Sequence, residues 1–210
     1  ENGIGDPCLL VDENTGEIFC FAVWCNGHSG ERALSYADTG YEIGDTPQFM
    51  MVRSTDDGLT WSEPVSILKQ VKQESWAMTF QGPGRGITMA DGTLVVPMQH
   101  QNAKGGSLFS GIMYSTDHGD TWTTHNQACS IATSESAVAE IEPGVLMLNM
   151  RDESGSKARR VYVTSDLGQT WTAHSSNGTL IEPTCEASLL HVDAADNSLG
   201  QEILLFCNPN

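Results

Sequence analysis

An octapeptide recurs three times along the chain: "STDDGLTW" at 54–61, "STDHGDTW" at 115–122 and "TSDLGQTW" at 164–171. Apolar, strand-like text precedes each copy, "QFMMVR", "GIMY" and "RRVYV" in turn. The Asp-x-Gly centre supplies a turn, because an Asp side chain bonds its own backbone and Gly accepts positive φ. Thr-Trp then starts the returning strand and buries an indole. Short strands joined by Gly-bearing turns, with no helix-length amphipathic pattern, predict an all-β propeller. The turn chemistry alone accounts for Asp56, Asp117 and Asp166, so these carboxylates mark architecture rather than a metal site or a catalytic pair.

At 210 residues, 39% apolar and 18% charged, the chain has the size and composition of one globular β-domain. A net charge of −17 argues against a nucleic-acid or anionic-membrane partner. The same charge means that an anionic ligand must be held by local Arg residues. No stretch reaches transmembrane length and no signal peptide opens the chain. Cys8, Cys20, Cys25, Cys129, Cys185 and Cys207 fall partly within strand-like runs, which favours free, buried thiols over a disulfide framework. The six His (28, 100, 118, 125, 174, 191) lack metal-ligand spacing and are expected mostly in solvated loops. "QGPGRGI" is Gly-rich, but no helix pattern follows to complete a phosphate cradle. "ITMADGTLVVPMQ" predicts strand, Asp-Gly turn and strand. Arg85 is expected as a solvated turn residue, and Arg53 as a surface ion-pair partner at a strand end.

The segment "SESAVAEIEPGVLMLNMR" (134–151) predicts a hairpin with Glu142, Pro143 and Gly144 as its loop. Ile141 then faces Val145, Ala139 faces Met147, Ala137 faces Asn149, and Glu135 faces Arg151. Opposed residues share a face of the sheet about 5 Å apart. Two opposite charges thus stand together at the open end of an otherwise apolar hairpin. On this stretch alone a plain cross-strand ion pair, contributing about 0–1 kcal/mol if exposed, is the favoured reading, with a functional pair as the alternative.

The three octapeptides match the Asp-box, Ser-x-Asp-x-Gly-x-Thr-Trp. Together with "GPGRGI" followed by "LVVP", "SES…LMLNMR", "DPCLLVDENTGEIFCFAV" (6–23), "IEPTCEAS" (181–188) and "ILLFCNPN" (203–210), they resemble the catalytic domain of exo-α-sialidases (neuraminidases) of the bacterial and mammalian type. The resemblance implies a propeller, six-bladed when complete, and a retaining enzyme that releases terminal sialic acid from glycoconjugates without metal or organic cofactor. In that family three Arg bind the substrate carboxylate, a Tyr attacks, a Glu holds the Tyr proton, and an Asp is acid/base. The resemblance makes Glu135 the Glu of the Tyr/Glu couple and Arg151 the second Arg. A neutral Tyr escapes the repulsion that a carboxylate nucleophile would meet from an anionic substrate. An Arg fork accepts a carboxylate in bidentate fashion. Asp6 resembles a residue contacting the sugar's O4 and N-acetyl side, with a turn-forming Asp before Pro as the alternative. Trp76 resembles an aromatic near the N-acetyl pocket, with a core indole as the alternative, and Gln99 is placed toward the glycerol side chain.

The family's first Arg and its acid/base Asp have no match here and are expected upstream of Glu1; the third Arg and the nucleophilic Tyr are expected downstream of Asn210. Tyr36, Tyr41, Tyr114 and Tyr162 do not match the nucleophile's position. The chain is therefore expected to hold three to four consecutive blades, to lack turnover alone, and to meet the remaining blades as a separate segment. The substrate class implies an extracellular or periplasmic location. Two alternatives remain: a non-catalytic Asp-box propeller that binds carbohydrate or protein, and a glycosidase of the same architecture acting on a neutral glycan with two carboxylates.

Overall fold

The computed structural model describes residues 2–27, 33–125 and 129–209; His28 lies outside them. Four sheets follow one another along the chain. Strands β1 (Gly3–Val11), β2 (Ile18–Cys25), β3 (Gln48–Ser54) and β4 (Val65–Ser66) form an antiparallel meander. The second sheet opens with β5 (Met78–Gln81). The chain then touches the first sheet through β6 (Gly84–Arg85), parallel to β1, and returns as β7 (Ile87–Thr88), β8 (Leu94–Gln101), β9 (Leu108–Ser115), β10 (Thr123–Thr124) and β11 (Ser130–Ile131). β12 (Thr133–Glu142), β13 (Val145–Asp152), β14 (Arg160–Thr164) and β15 (Thr172–Ala173) make the third meander, and β16 (Ser188–Val192) pairs with β17 (Ile203–Cys207). Among the described residues, helix is confined to single turns at Ala33–Tyr36 and Leu68–Val71 and a short 3-10 turn at Ala194–Asp196. No helix among the described residues is long and apolar enough to cross a membrane.

Apolar faces fill the spaces between successive sheets. Phe19, Phe21, Phe49, Met113 and Trp122 pack between the first and second. Ile112, Val138, Leu148 and Met150 pack between the second and third. Met147, Val161 and Leu189 pack between the third and fourth. The Asp91-Gly92 turn between β7 and β8 forms as expected, with Gly92 at φ 90°.

The three octapeptide turns are built alike. Ser54 Oγ donates to Asp56 Oδ1 at 2.9 Å, and Asp56 accepts from the Thr60 amide at 2.8 Å and its hydroxyl at 2.6 Å. Asp117 repeats this with Ser115 and Thr121, and Asp166 with Thr164 and Thr170. These bonds hold the Asp166 carboxyl down to about 2, the Thr170 amide contributing most. The residue before each Gly is also left-handed, at Asp57, His118 and Leu167.

The indoles do not all bury. Trp122 is 2% exposed and Trp171 is half-buried, but Trp61 is 42% exposed. Trp122 meets Phe21 edge-on at 5.1 Å in the preceding sheet. Trp61 has no such sheet among the described residues, and its Nε1 instead donates to Gly58 O at 3.1 Å. The glycines follow the same logic. A Cβ on Gly119 would lie 2.4 Å from the Phe19 ring, whereas one on Gly58 would meet only Trp61, at 3.6 Å. Gly119→Ala is expected to add overpacking of about 1–3 kcal/mol to the left-handed strain that Gly58→Ala also carries. Urea unfolding midpoints check this; equal losses for the two variants would refute it.

Two expectations need correction. All six cysteines are free, but only Cys8 and Cys129 are buried, and Cys207 is exposed because β17 edges a two-stranded sheet. Among the described histidines, His118, His125 and His174 lie in loops, exposed or half-buried, as expected, but His100 is 6% exposed on β8, stacked on Trp76 at 3.7 Å and on Phe109 at 5.3 Å, and burial lowers its pKa to about 4. His191 lies on β16 with Glu202 3.1 Å from Nε2.

Candidate active site

The hairpin that carries the charged pair is β12–β13. Its middle has the expected register, Ala137 opposite Asn149 and Ala139 opposite Met147. Its turn is one residue shorter than expected. Glu142 pairs with Val145, leaving Pro143-Gly144 as the loop and Ile141 at an irregularity between Glu140 and Glu142. The Glu140 carboxylate causes this by accepting the Gly144 amide at 2.7 Å, with Gly144 at φ 79°.

A second irregularity lies at the other end. Thr133 pairs with Asp152 and Ser136 with Met150, so Ser134 and Glu135 together oppose Arg151. Such a bulge re-aims a side chain. Ser134 turns inward, buried, with its hydroxyl on Glu153 and its carbonyl accepting from Ser110 Oγ at 2.6 Å. Glu135 turns toward Arg151, whose Nη1 donates to Glu135 Oε2 at 2.6 Å. Glu153 Oε1 lies 3.0 Å from Arg151 Nε. The paired side chains are about one quarter exposed, 27% for Arg151 and 24% for Glu135. Burial works against the Arg151 charge, but the Glu135 bond and the fields of Glu135 and Glu153 outweigh it and raise its pKa. Nη2 makes no hydrogen bond among the described residues.

Beneath the pair lies a buried polar network that sequence reasoning missed. The Arg159 side chain is fully buried. Its Nε donates to Asn149 Oδ1 at 2.6 Å, Nη2 to Asn149 O at 3.0 Å, and Nη1 to Glu182 Oε2 at 3.0 Å and Cys185 O at 2.7 Å. Glu182 Oε1 accepts the Asp152 amide at 2.8 Å. These bonds fix the segment 182–186 against β13. They bring Glu186 into the field of Glu135, Asp6, Arg159 and Arg151. A strand-phase signal existed for Arg159: it lies two residues before the buried Val161, on the same face.

Asp6 sits not in a turn but in a bulge of β1 between Gly5 and Cys8, exposed, at φ 53°. Its carbonyl accepts from Gln81 Nε2. Gln99 is 2% exposed and reaches Gln81 O at 3.4 Å, so Gln81 links these two positions. Gly82, next in sequence, lies so near β12 that a Cβ there would come within 2.9 Å of Ser136 O. Trp76 is 8% exposed and stacks on His100, within the core of the first two sheets. Left-handed non-glycine residues gather at this end, at Asp6, Ala132 (φ 55°) and Thr184 (φ 59°). A β-branched Thr there is a genuine outlier, and such strain concentrates at functional sites.

The BNR repeat-like domain family matches residues 2–209. The chain belongs to that family. A sialidase of Bacteroides fragilis (strain YCH46) is 50% identical over 211 residues, covering 100% of this chain and 38% of that protein. Among solved structures, Hadza microbial sialidase Hz136 superposes with a TM-score of 0.93 at 53% identity, over 98% of this chain and 40% of that one. Trypanosoma rangeli sialidase in complex with sialic acid superposes with a TM-score of 0.78 at 25% identity, over 99% of this chain and 34% of that one. The BNR domain is thus all-β, with the sialidase-type propeller fold, and spans about two fifths of the length of the first two relatives.

In the BNR domain the four tyrosines are engaged away from Glu135. Tyr36 lies against the Cys25 thiol, Tyr41 donates to Lys72 O at 3.3 Å, and Tyr114 meets His125 at 3.3 Å. Tyr162 packs with the apolar residues between the second and third sheets. A cavity of about 910 Å³ opens at the opposite, Pro143 end of the hairpin, lined by Leu10, Arg85, Thr88, Glu140 and His191 among others. Glu135 and Arg151 do not line it. Arg85 is exposed there, but on strand β6 and not in a turn, and Arg53 bridges Glu17 at 2.6 Å and Asp120 at 3.0 Å as expected.

Proposed function

We propose that these 210 residues form the part of a retaining exo-α-sialidase that holds the substrate carboxylate and receives the nucleophile's proton. The observation that carries this is the Glu135–Arg151 contact of 2.6 Å on a bulged hairpin, partly exposed and with guanidinium donors to spare. Neither a binding propeller nor a neutral-glycan enzyme needs an acid and a base displayed in this way beside each other. Arg151 takes the carboxylate of terminal sialic acid. Glu135 accepts the proton of an attacking Tyr that residues outside these 210 contribute, together with the remaining arginines and the acid/base Asp. Asp6, exposed in its bulge, serves the sugar's O4 and N-acetyl side, whereas Gln99 acts on that position through Gln81 and Trp76 stays in the core. Neither metal nor organic cofactor enters. Such glycans lie outside the cytoplasm, which supports an extracellular or periplasmic site of action.

In the full-length protein, Arg151→Ala is expected to weaken binding of the dehydrated sialic-acid analogue on the order of 100-fold, the cost of deleting one partner of a hydrogen-bonded charge pair. Calorimetric titration reads this directly. Affinity indifferent to the substitution would overturn the proposal in favour of a neutral ligand.

A further inference from the structure

Glu186 has no part in the function proposed above, yet it projects into the same site. It lies between β1, β6, the β12–β13 hairpin and the segment before β14. Half-buried, it makes no hydrogen bond or ion pair among the described residues. Its Oε1 approaches Gly84, where a Cβ would stand 3.6 Å away. Facing it are Asp6 and Cys8 from β1, Glu135 from β12, Arg151 from β13, and Arg159. Glu182 shares its segment, bound to Arg159, and Glu153 lies behind Arg151. Before Glu186 is counted, two guanidinium groups stand against the four carboxylates of Asp6, Glu135, Glu153 and Glu182.

An anion arriving at Arg151 therefore enters a region already rich in negative charge, on a chain of net charge −17. A fifth ionised carboxylate would repel it further. A protonated one would not, and its O–H would be available to donate. We propose that Glu186 is a proton-linked member of the anion site: it carries its proton while a carboxylate occupies Arg151, and its ionisation expels that carboxylate. The inference rests on Arg151 as the anion-binding guanidinium.

The electrostatics agree in direction. Burial foremost, then the charge of Glu135, raises the Glu186 carboxyl from 4.5 to about 8, against the opposing pull of Arg159 and a further rise from Asp6. A bound carboxylate adds another like charge and raises it further. Binding near pH 8 therefore takes up a proton, and affinity falls about tenfold per pH unit once Glu186 ionises in the free protein. Glu186→Gln removes the titration while keeping a donor, so its affinity stays level across the same range.

The test uses the full-length protein isotope-labelled at its glutamate carboxyls, with the Glu186 resonance assigned by its loss in Glu186→Gln. Titration with and without N-acetylneuraminic acid should place Glu186 near 8 when free and about one unit or more higher when the sugar acid is bound. In Arg151→Ala that ligand-dependent rise should vanish. Calorimetry at about pH 6 and about pH 9 should show weakening on the alkaline side for wild type and none for Glu186→Gln. A free Glu186 that titrates near its ordinary 4.5 overturns the proposal. So does an elevated midpoint that ignores a ligand which calorimetry shows to bind, or an alkaline loss undiminished in Glu186→Gln. Absence of sialic-acid binding at either pH refutes the anion site itself, and this proposal with it.

Discussion

Arg159→Met is expected to destabilise the chain by about 3–5 kcal/mol, more than any surface charge in the molecule, because removing one side of a buried ion pair strands the other. Arg159 has a fully buried side chain and spends its donors on Asn149, Glu182 and the Cys185 carbonyl. Methionine fills similar space but leaves the Glu182 carboxylate uncompensated and takes a donor away from three oxygens, Asn149 Oδ1, Asn149 O and Cys185 O. Glu182 must also keep accepting the Asp152 amide, so it cannot simply swing away. Adding Glu182→Gln to Arg159→Met should recover part of the loss, since the amide oxygen still accepts from Asp152 while the stranded charge is gone. Urea unfolding of the two single variants and the double variant measures the coupling. Strictly additive losses, or a single loss below about 1 kcal/mol, would mean that the network contributes little to stability. The segment 182–186 should loosen in the same variant, because Arg159 ties it to β13.

The repeating turns were legible because every bond in them is local: Asp56, Asp117 and Asp166 each reach backbone within four residues. The hairpin was legible in its apolar middle, where Leu148 and Met147 fill the cores on the two faces of the sheet and a one-residue slip would exchange them. Both of its ends escaped. The turn shortened because of a side-chain bond from Glu140, and the open end bulged because Ser134 found buried partners on β9 and Glu153. Neither force has a period. The fate of the three Trp residues likewise depends on which sheet precedes each one, and no octapeptide encodes that.

The site divides in the same way. Glu135 and Arg151 could be brought together from sequence because they lie on one hairpin. Arg159 and the segment that carries Glu182 and Glu186 come from two places along the chain and meet only through packing of the third and fourth sheets. The spacing of acids and bases along this stretch carries no trace of that meeting, although an Arg in phase with buried Val161 was a sign that some carboxylate had to come to it.

On the function proposed above, Glu135→Gln is expected to lower turnover of the full-length protein by about 10²–10⁴-fold, the usual contribution of a positioned proton acceptor, while leaving the dehydrated sialic-acid analogue bound at least as tightly as before. The separation follows from the geometry. Glutamine still offers Arg151 Nη1 an oxygen where the carboxylate stood at 2.6 Å, so the guanidinium keeps its orientation. It cannot take a proton from an attacking hydroxyl. It also removes one negative charge from the ring of carboxylates that a bound anion must tolerate, which favours the ligand. Arg151→Ala does the opposite, losing the anion first and the chemistry as a consequence. Measured kcat and inhibitor affinity for the two variants thus fall along different axes. A Glu135→Gln enzyme with unchanged kcat would reduce the pair to a structural ion pair. One whose inhibitor affinity fell in step with kcat would show that Glu135 acts by holding Arg151 in place and not by accepting the nucleophile's proton.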